Sequence, residues 1–181
     1  MRFRIGVGLV IFAFAAGIGC GSARAQSATV PEKAADPAYA PLWLYNGTWL
    51  SETAKGKDIS RMQISNHCER TGKFFVCEQV IDGKSQDLVV FLPTGASGNT
   101  QSYRTQGLAV TAETPGDWGK LEITGDHWVY SSDDTGKAGT EHWRTINDFS
   151  GPDKIHFEIQ RSADGKTWET QRSGDEHRVR K

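Results

Sequence analysis

The sequence predicts an all-β protein: one antiparallel up-and-down β-barrel of about ten strands, entered through a short helical turn. Three observations predict it. Apolar residues alternate with polar ones at period two along much of the chain, as in Ile155, Phe157 and Ile159 against Lys154, His156, Glu158 and Gln160. No stretch keeps a helical period over about 12 residues. Turn signals punctuate the chain at short intervals: Asp82-Gly83, Pro115-Gly116, Gly125-Asp126, Thr135-Gly136 and Asp164-Gly165. Hairpin-length links without a long crossover favour a meander barrel over a sandwich. Closure also removes the sheet edges along which lone sheets aggregate.

The elements follow in order. Met1–Arg4 is a short basic start, Ile5–Gly19 is unbroken apolar or glycine, and Ala23-Arg24-Ala25 is a small-x-small site. That is the layout of a secretory signal peptide over 1–25, with an apolar run too short to span a membrane comfortably. Gly17-Ile18-Gly19-Cys20 offers a lesser alternative, a lipid-anchored lipoprotein through Cys20, although Gly17 stands where leucine is usual. Either way the domain is expected outside the cytoplasm, periplasmic or secreted. Residues 26–40, rich in Ala and small polar residues with Pro31 and Pro37, read as a flexible linker. The barrel domain is expected over 41–181.

Pro41–Asn46 suits a helical turn. The expected strands are Thr48–Thr53, Asp58–Glu69, Lys73–Ile81, Gln86–Leu92, Thr100–Thr105, Ala109–Thr114, Gly119–Thr124, His127–Ser132, Thr140–Asn147, Lys154–Ser162 and Thr167–Ser173. A terminal piece, Glu176–Arg180, closes the last edge. Gln86–Leu92 is apolar enough after Asp87 to be covered on both faces.

With Cys20 removed in the signal, Cys68 and Cys77 remain, and an exported chain meets an oxidising environment. A hairpin turning at Gly72-Lys73 sets the two cysteines opposite each other, where Cα atoms of a non-hydrogen-bonded pair lie about 4.5 Å apart. A structural disulfide is the expected state. A metal site is not: His67 and Cys68 point to opposite faces of one strand, and no second ligand pair has suitable spacing.

Asn46-Gly47-Thr48-Trp49, at the start of the first strand and after a helical turn, resembles the Gly-x-Trp entry of the calycins. These are the lipocalins, the fatty-acid-binding proteins and nitrobindin-like barrels. The resemblance implies that Trp49 plugs the closed end of the barrel and that a basic residue of the last strand, Arg178 or Arg180, packs across it. Over Leu42–Arg180 the chain also resembles a set of small exported bacterial proteins regarded as lipocalin-like. The segments that carry it are Cys68-Glu69 with Cys77-Glu78-Gln79, Trp143-Arg144-Thr145-Ile146-Asn147, and Ser162-Ala163-Asp164-Gly165-Lys166-Thr167-Trp168. That set brings fold and location but no assigned activity. The nitrobindin comparison implies haem held by a late histidine, for which His177 is the candidate. The glycine-rich extension of that motif is absent, since Leu-Ser-Glu-Thr follows Trp49, and no cofactor is expected.

Charge narrows the function. The chain carries 21 Lys and Arg against 22 Asp and Glu, and the signal segment holds three arginines and no acid. A mildly acidic domain with no basic block is a poor nucleic-acid binder. No Gly-x-Ser-x-Gly, phosphate loop or zinc-protease helix occurs, so no catalytic residue is nominated. The five histidines form no metal-ligand pair, and Asp133-Asp134 lacks the spacing of a calcium loop.

The leading expectation is a small apolar or amphipathic ligand held non-covalently in the barrel. The candidate contacts are Trp128, Tyr130, Trp143, Arg144 and Tyr103. If the Trp143 face points inward, Thr145 and Asn147 offer polar groups; if the other face does, Arg144 meets an anionic headgroup. The alternative is a periplasmic inhibitor or envelope interaction protein with a solid core, acting on a protein partner through its loops.

Overall fold

The computed structural model describes residues 36–55, 58–136 and 139–180. The signal peptide over 1–25, Cys20 and most of the linker lie outside the described residues.

Ten strands follow a 3₁₀ turn at Pro41–Tyr45: β1 Gly47–Lys55, β2 Asp58–Thr71, β3 Phe74–Ile81, β4 Lys84–Ser97, β5 Thr100–Ala109, β6 Gly119–Thr124, β7 His127–Gly136, β8 Gly139–Phe149, β9 Lys154–Ser162 and β10 Glu169–Arg178. Each strand pairs antiparallel with its sequence neighbour, and β1 pairs with β10, so the barrel is closed. The expected up-and-down barrel is present, with ten strands where twelve segments were read. Of Ala109–Thr114 only Ala109 belongs to a strand, at the end of β5, and the chain then runs as turn and loop to β6. The last two expected segments are one strand, β10, with a register shift between Thr170 and Arg172.

The Asp-Gly hairpin behaves as its residues require. Asp82 and Gly83 both take positive φ, 48° and 77°, which lets β3 turn into β4 with the twist the flanking strands need. Cys68 lies directly opposite Cys77, with Cα atoms 4.0 Å apart, and the two form a disulfide. Closing a loop of this length contributes roughly 2.5–3 kcal/mol in the chain-entropy model. The double apolar cover expected for Gln86–Leu92 is not there: Phe91 is buried and Val89 packs on the core, while Leu88 on the other face is exposed.

One end of the barrel is shut by aromatic packing. Trp49 is fully buried, and its Nε1 donates to the Tyr45 carbonyl at 3.1 Å. The Arg178 guanidinium lies 4.1 Å above the Trp49 ring. It donates to the Asn46 carbonyl and the Leu44 carbonyl, each at 2.6 Å, and to the Pro152 carbonyl at 2.9 Å. Those carbonyls belong to the entry segment and to the β8–β9 turn, so one side chain ties three segments together. Gly47 makes room for it: a Cβ there would stand 2.7 Å from Arg178 Nη1, and its φ of 124° disfavours other residues. Arg180 instead pairs with Asp153. Asp36–Ala40, at the end of the segment read as a linker, pack on the same end. Tyr39 is buried and donates to the Lys73 carbonyl, and Tyr103 donates to the Ala38 carbonyl.

Candidate functional site: the barrel interior

Residues directly opposite in an antiparallel pair share a face, so the register identifies the inward set. From Trp49 it passes to Arg178, Glu176 opposite Ser51, and Gly174 opposite Thr53. It continues through Ile155, Phe157 and Ile159 to Phe149, Asn147 and Thr145, and then to Trp128 and Tyr130. Leu121 and Ile123, Tyr103 and Thr105, Phe91 and Val89, Cys77 with Gln79, and Ile64, Asn66 and Cys68 complete the circuit. The apolar members fill the closed end. Toward the other end they leave space.

That space has two parts. A cavity of about 230 Å³ lies across the interior, lined by Tyr45, Asn66, Cys77, Gln79, Val89, Phe91, Tyr130 and Thr145. A wider one of about 440 Å³ is lined by Thr105, Gly107, Gly116, Asp117, Gly119, Tyr130, Ser131, Ser132, Asp133, Asp134, Trp143, Arg144, Thr145 and Ile159. Tyr130 and Thr145 wall both, so this pair is the neck where an inner chamber without charged lining residues adjoins an outer mouth. Gly107 pairs with Val89 and so faces inward, and a Cβ there would meet nothing within 4 Å. The missing side chain is part of what keeps the mouth open.

Polar groups inside are largely committed to one another. The Tyr45 hydroxyl accepts from Asn147 Nδ2 at 3.2 Å, and Asn66 Nδ2 donates to the Tyr45 carbonyl at 3.3 Å. Arg172 reaches Thr53 Oγ1 through Nε at 3.3 Å and Nη2 at 3.1 Å. The Tyr130 hydroxyl lies buried beside the Tyr45 hydroxyl, and the two interact. Burial pushes both phenols far above the usual tyrosine range, and Glu176 adds to it. Glu176 is itself a half-buried acid. Loss of solvent raises its pKa to about 7, against the opposing pull of a hydrogen bond with Ser51 and the charge of Arg172.

The sequence-nominated contacts separate into three groups. Tyr130 stands at the neck, and Trp143 lines the mouth. Arg144 belongs to a strand that lines the mouth, but its side chain takes the outer face. Its Nε donates to Gln160 Oε1 at 2.6 Å, and its guanidinium covers the Trp168 ring at 4.1 Å. The Trp143 face is therefore the inward one, which brings Thr145 to the neck and Asn147 to Tyr45. Trp128 is fully buried at the closed end, between Tyr45 at 5.8 Å and Phe149 at 4.6 Å between ring centroids. Tyr103 is also buried there, with its hydroxyl donating to Ala38.

Sequence reasoning missed Tyr45, Asn66, Gln79, Thr105 and Glu176. A signal existed for Asn66 and Gln79, which lie two residues from Cys68 and Cys77 and so share the face of the disulfide. Tyr45 had none, because a residue in a short turn has no periodicity to place it.

His177 pairs with Leu50 and is exposed on the outer surface, so it does not fit a haem held inside the barrel. No group of three or more His, Cys, Asp or Glu among the described residues is placed to hold a metal ion.

No family model matches the chain, and neither does any curated protein. Among solved structures it is similar to the crystal structure of Rv2717c from M. tuberculosis. The identity is 15% and the TM-score 0.48, over 80% of this chain and 99% of that one.

Proposed function

We propose that the protein binds a small apolar or amphipathic molecule, non-covalently, inside its barrel. The observation that carries this is the inner chamber that adjoins an open mouth at the Tyr130–Thr145 neck. A barrel packed solid would have no such space. The mouth falls within the roughly 300–1,000 Å³ of ordinary small-molecule sites, and the chamber adds an apolar recess to it. Binding would come from apolar contact with Val89, Phe91 and the Tyr130 ring, with Thr145, Asn66 and Gln79 orienting the ligand's polar end.

The Cys68–Cys77 disulfide fits an oxidising compartment, which supports the reading of 1–25 as an export signal. Among the described residues no helix is long and apolar enough to cross a membrane. The Gly47-x-Trp49 entry with Arg178 packed across it supports a barrel of calycin type.

Native mass spectrometry of the full chain, purified from its own periplasm and then denatured, tests the reading. The expected result is a reproducible extra mass that disappears on denaturation and is missing from Gly107→Trp, whose indole fills the mouth. A bare chain in both proteins, still bare after incubation with a library of small apolar compounds, would overturn it.

A further inference from the structure

The protons available in the inner chamber narrow the ligand class. Resting on the luminal reading above, we propose that the chamber holds a neutral carbonyl oxygen, that of an apolar ketone or ester. Tyr45 and Tyr130 both line the chamber. The Tyr45 hydroxyl accepts from Asn147 Nδ2 at 3.2 Å, and the two phenols share a hydrogen bond. Two hydroxyl groups carry two protons, and a bond between them uses one. Whichever phenol donates, the other keeps a proton. Among the described residues neither hydroxyl donates to any further acceptor: Glu176 acts on both through its charge, and its own hydrogen bond is with Ser51. Burial keeps both phenols neutral, so that proton is present at any ordinary pH.

The amides of the chamber point the same way. The Tyr45 carbonyl can only accept, so it orients the Asn66 amide, whose Nδ2 donates to it at 3.3 Å. Asn66 Oδ1 then accepts from Gln79 Nε2 at 3.5 Å, which orients Gln79. Each of these amide nitrogens carries two protons and has spent one. Against the spare phenolic and amide protons the chamber sets only Gln79 Oε1 and the Thr145 hydroxyl as spare acceptors. A carbonyl oxygen accepts two hydrogen bonds and brings no proton of its own. An ammonium group would bring more protons to a chamber already rich in them. A carboxylate would lose its water there with no counter-charge to replace it, because no cationic residue lines the chamber. The inward guanidinium groups are engaged elsewhere. Arg161, opposite Trp143 of the mouth, pairs with Glu141 at 3.4 Å, and Arg172, opposite Ile159, holds Thr53.

Acetophenone, ethylbenzene and benzoate, one ring with three substituents, test this with the full oxidised chain at pH 7.5. Infrared spectroscopy reads the carbonyl band of isotope-labelled acetophenone, which hydrogen bonding lowers in frequency. In the complex the band is expected clearly below its position in hexane. Titration calorimetry should find acetophenone bound at least about tenfold more tightly than benzoate, whose charge stays unpaired. Tyr45→Phe and Tyr130→Phe each leave one phenolic proton and should keep the lowered band. The double variant leaves none. It should raise the band and weaken acetophenone relative to ethylbenzene about threefold or more, the worth of one neutral hydrogen bond. Lost packing does not produce that pattern, in which either change is tolerated and both together are not. Where the double variant fails to fold, the wild-type and single-variant bands decide. A band at the hexane position, benzoate bound as tightly as acetophenone, or a folded double variant that affects acetophenone and ethylbenzene alike would overturn the carbonyl assignment and leave luminal binding standing. No binding by any of the three, or binding to Gly107→Trp as tight as to the wild type, would sink the luminal reading and this proposal with it.

Discussion

Glu176 gives the barrel a pH dependence that a single substitution should remove. Its pKa of about 7 in the folded protein compares with an ordinary value of 4.5. A raised folded pKa means that between those values the folded state holds a proton that the unfolded state has released. Stability is then highest below the unfolded value and falls as pH rises through the window, levelling off above about 7. A shift of this size corresponds to about 3 kcal/mol at 1.36 kcal/mol per pH unit. Glu176→Gln is neutral at every pH and should escape the loss. Urea unfolding of both proteins between pH 4 and pH 8.5 reads the effect. At pH 4 both side chains are neutral, so the difference measured there is only that of Gln against a protonated Glu. Relative to that baseline, the variant should gain up to about 3 kcal/mol by pH 8, or roughly 1–2 M in urea midpoint at typical slopes. Arg172 does not reverse the sign, because its attraction is already included in the folded pKa. A difference flat across the range, or one that grows toward acid, would refute the buried-acid reasoning.

Two further outcomes follow from the closed end and the seam. Arg178→Ala removes a guanidinium that serves three backbone carbonyls and one indole, and should cost about 3–4 kcal/mol in urea unfolding, since charge-assisted bonds to buried groups are costly to lose. Arg178→Lys keeps the charge without the fork and should recover less than half of it; a loss below about 1 kcal/mol for the alanine variant would show that the contacts are incidental. Gly174→Ala places a Cβ 2.1 Å from the Glu52 carbonyl oxygen and 3.0 Å from Phe157 Cε1, so β10 must part from β1. Thermal melts should show it far less stable than Gly107→Ala, where open space awaits the methyl group and the loss of glycine's unfolded-state freedom is worth a few tenths of a kcal/mol or more. Equal melting temperatures would contradict the seam packing.

The fold was more legible than the site. Alternation at period two and the spacing of turns are local properties, and they yielded an antiparallel barrel with most strand positions. The cysteine pair was legible because a hairpin turn fixes what lies opposite what. The interior was harder, since a strand's alternation says which residues share a face and not which face is inside. Trp143 and Arg144 show this. Both readings of β8 were open until Thr145 was seen opposite Tyr130 and Ile159. Trp128 shows a different limit. An inward tryptophan reads the same whether it lines a chamber or plugs an end, because depth along the barrel has no sequence period.

β10 shows how one anchor can replace what alternation leaves undecided. Thr170 lies opposite Gln160, on the outer face with Arg144. Strict alternation from Thr170 would keep Arg172, Gly174, Glu176 and Arg178 outside as well. The register shift between Thr170 and Arg172 reverses the parity, setting Arg172 opposite the inward Ile159 and Gly174, Glu176 and Arg178 on the inward face with it. A bulge of this kind inserts one residue and re-aims a strand, and no pattern in Glu169–Arg178 announces it. Counting back from the other end does announce it. Once a basic residue must pack on Trp49, and Arg178 is the one that does, Glu176 falls inside by period two alone. Gly174 then falls where β10 approaches the Glu52 carbonyl too closely for any Cβ. The plug of the barrel and its inward acid are thus one constraint, and the bulge is what the chain needs to satisfy it while keeping Gln160 and Thr170 on the outer face.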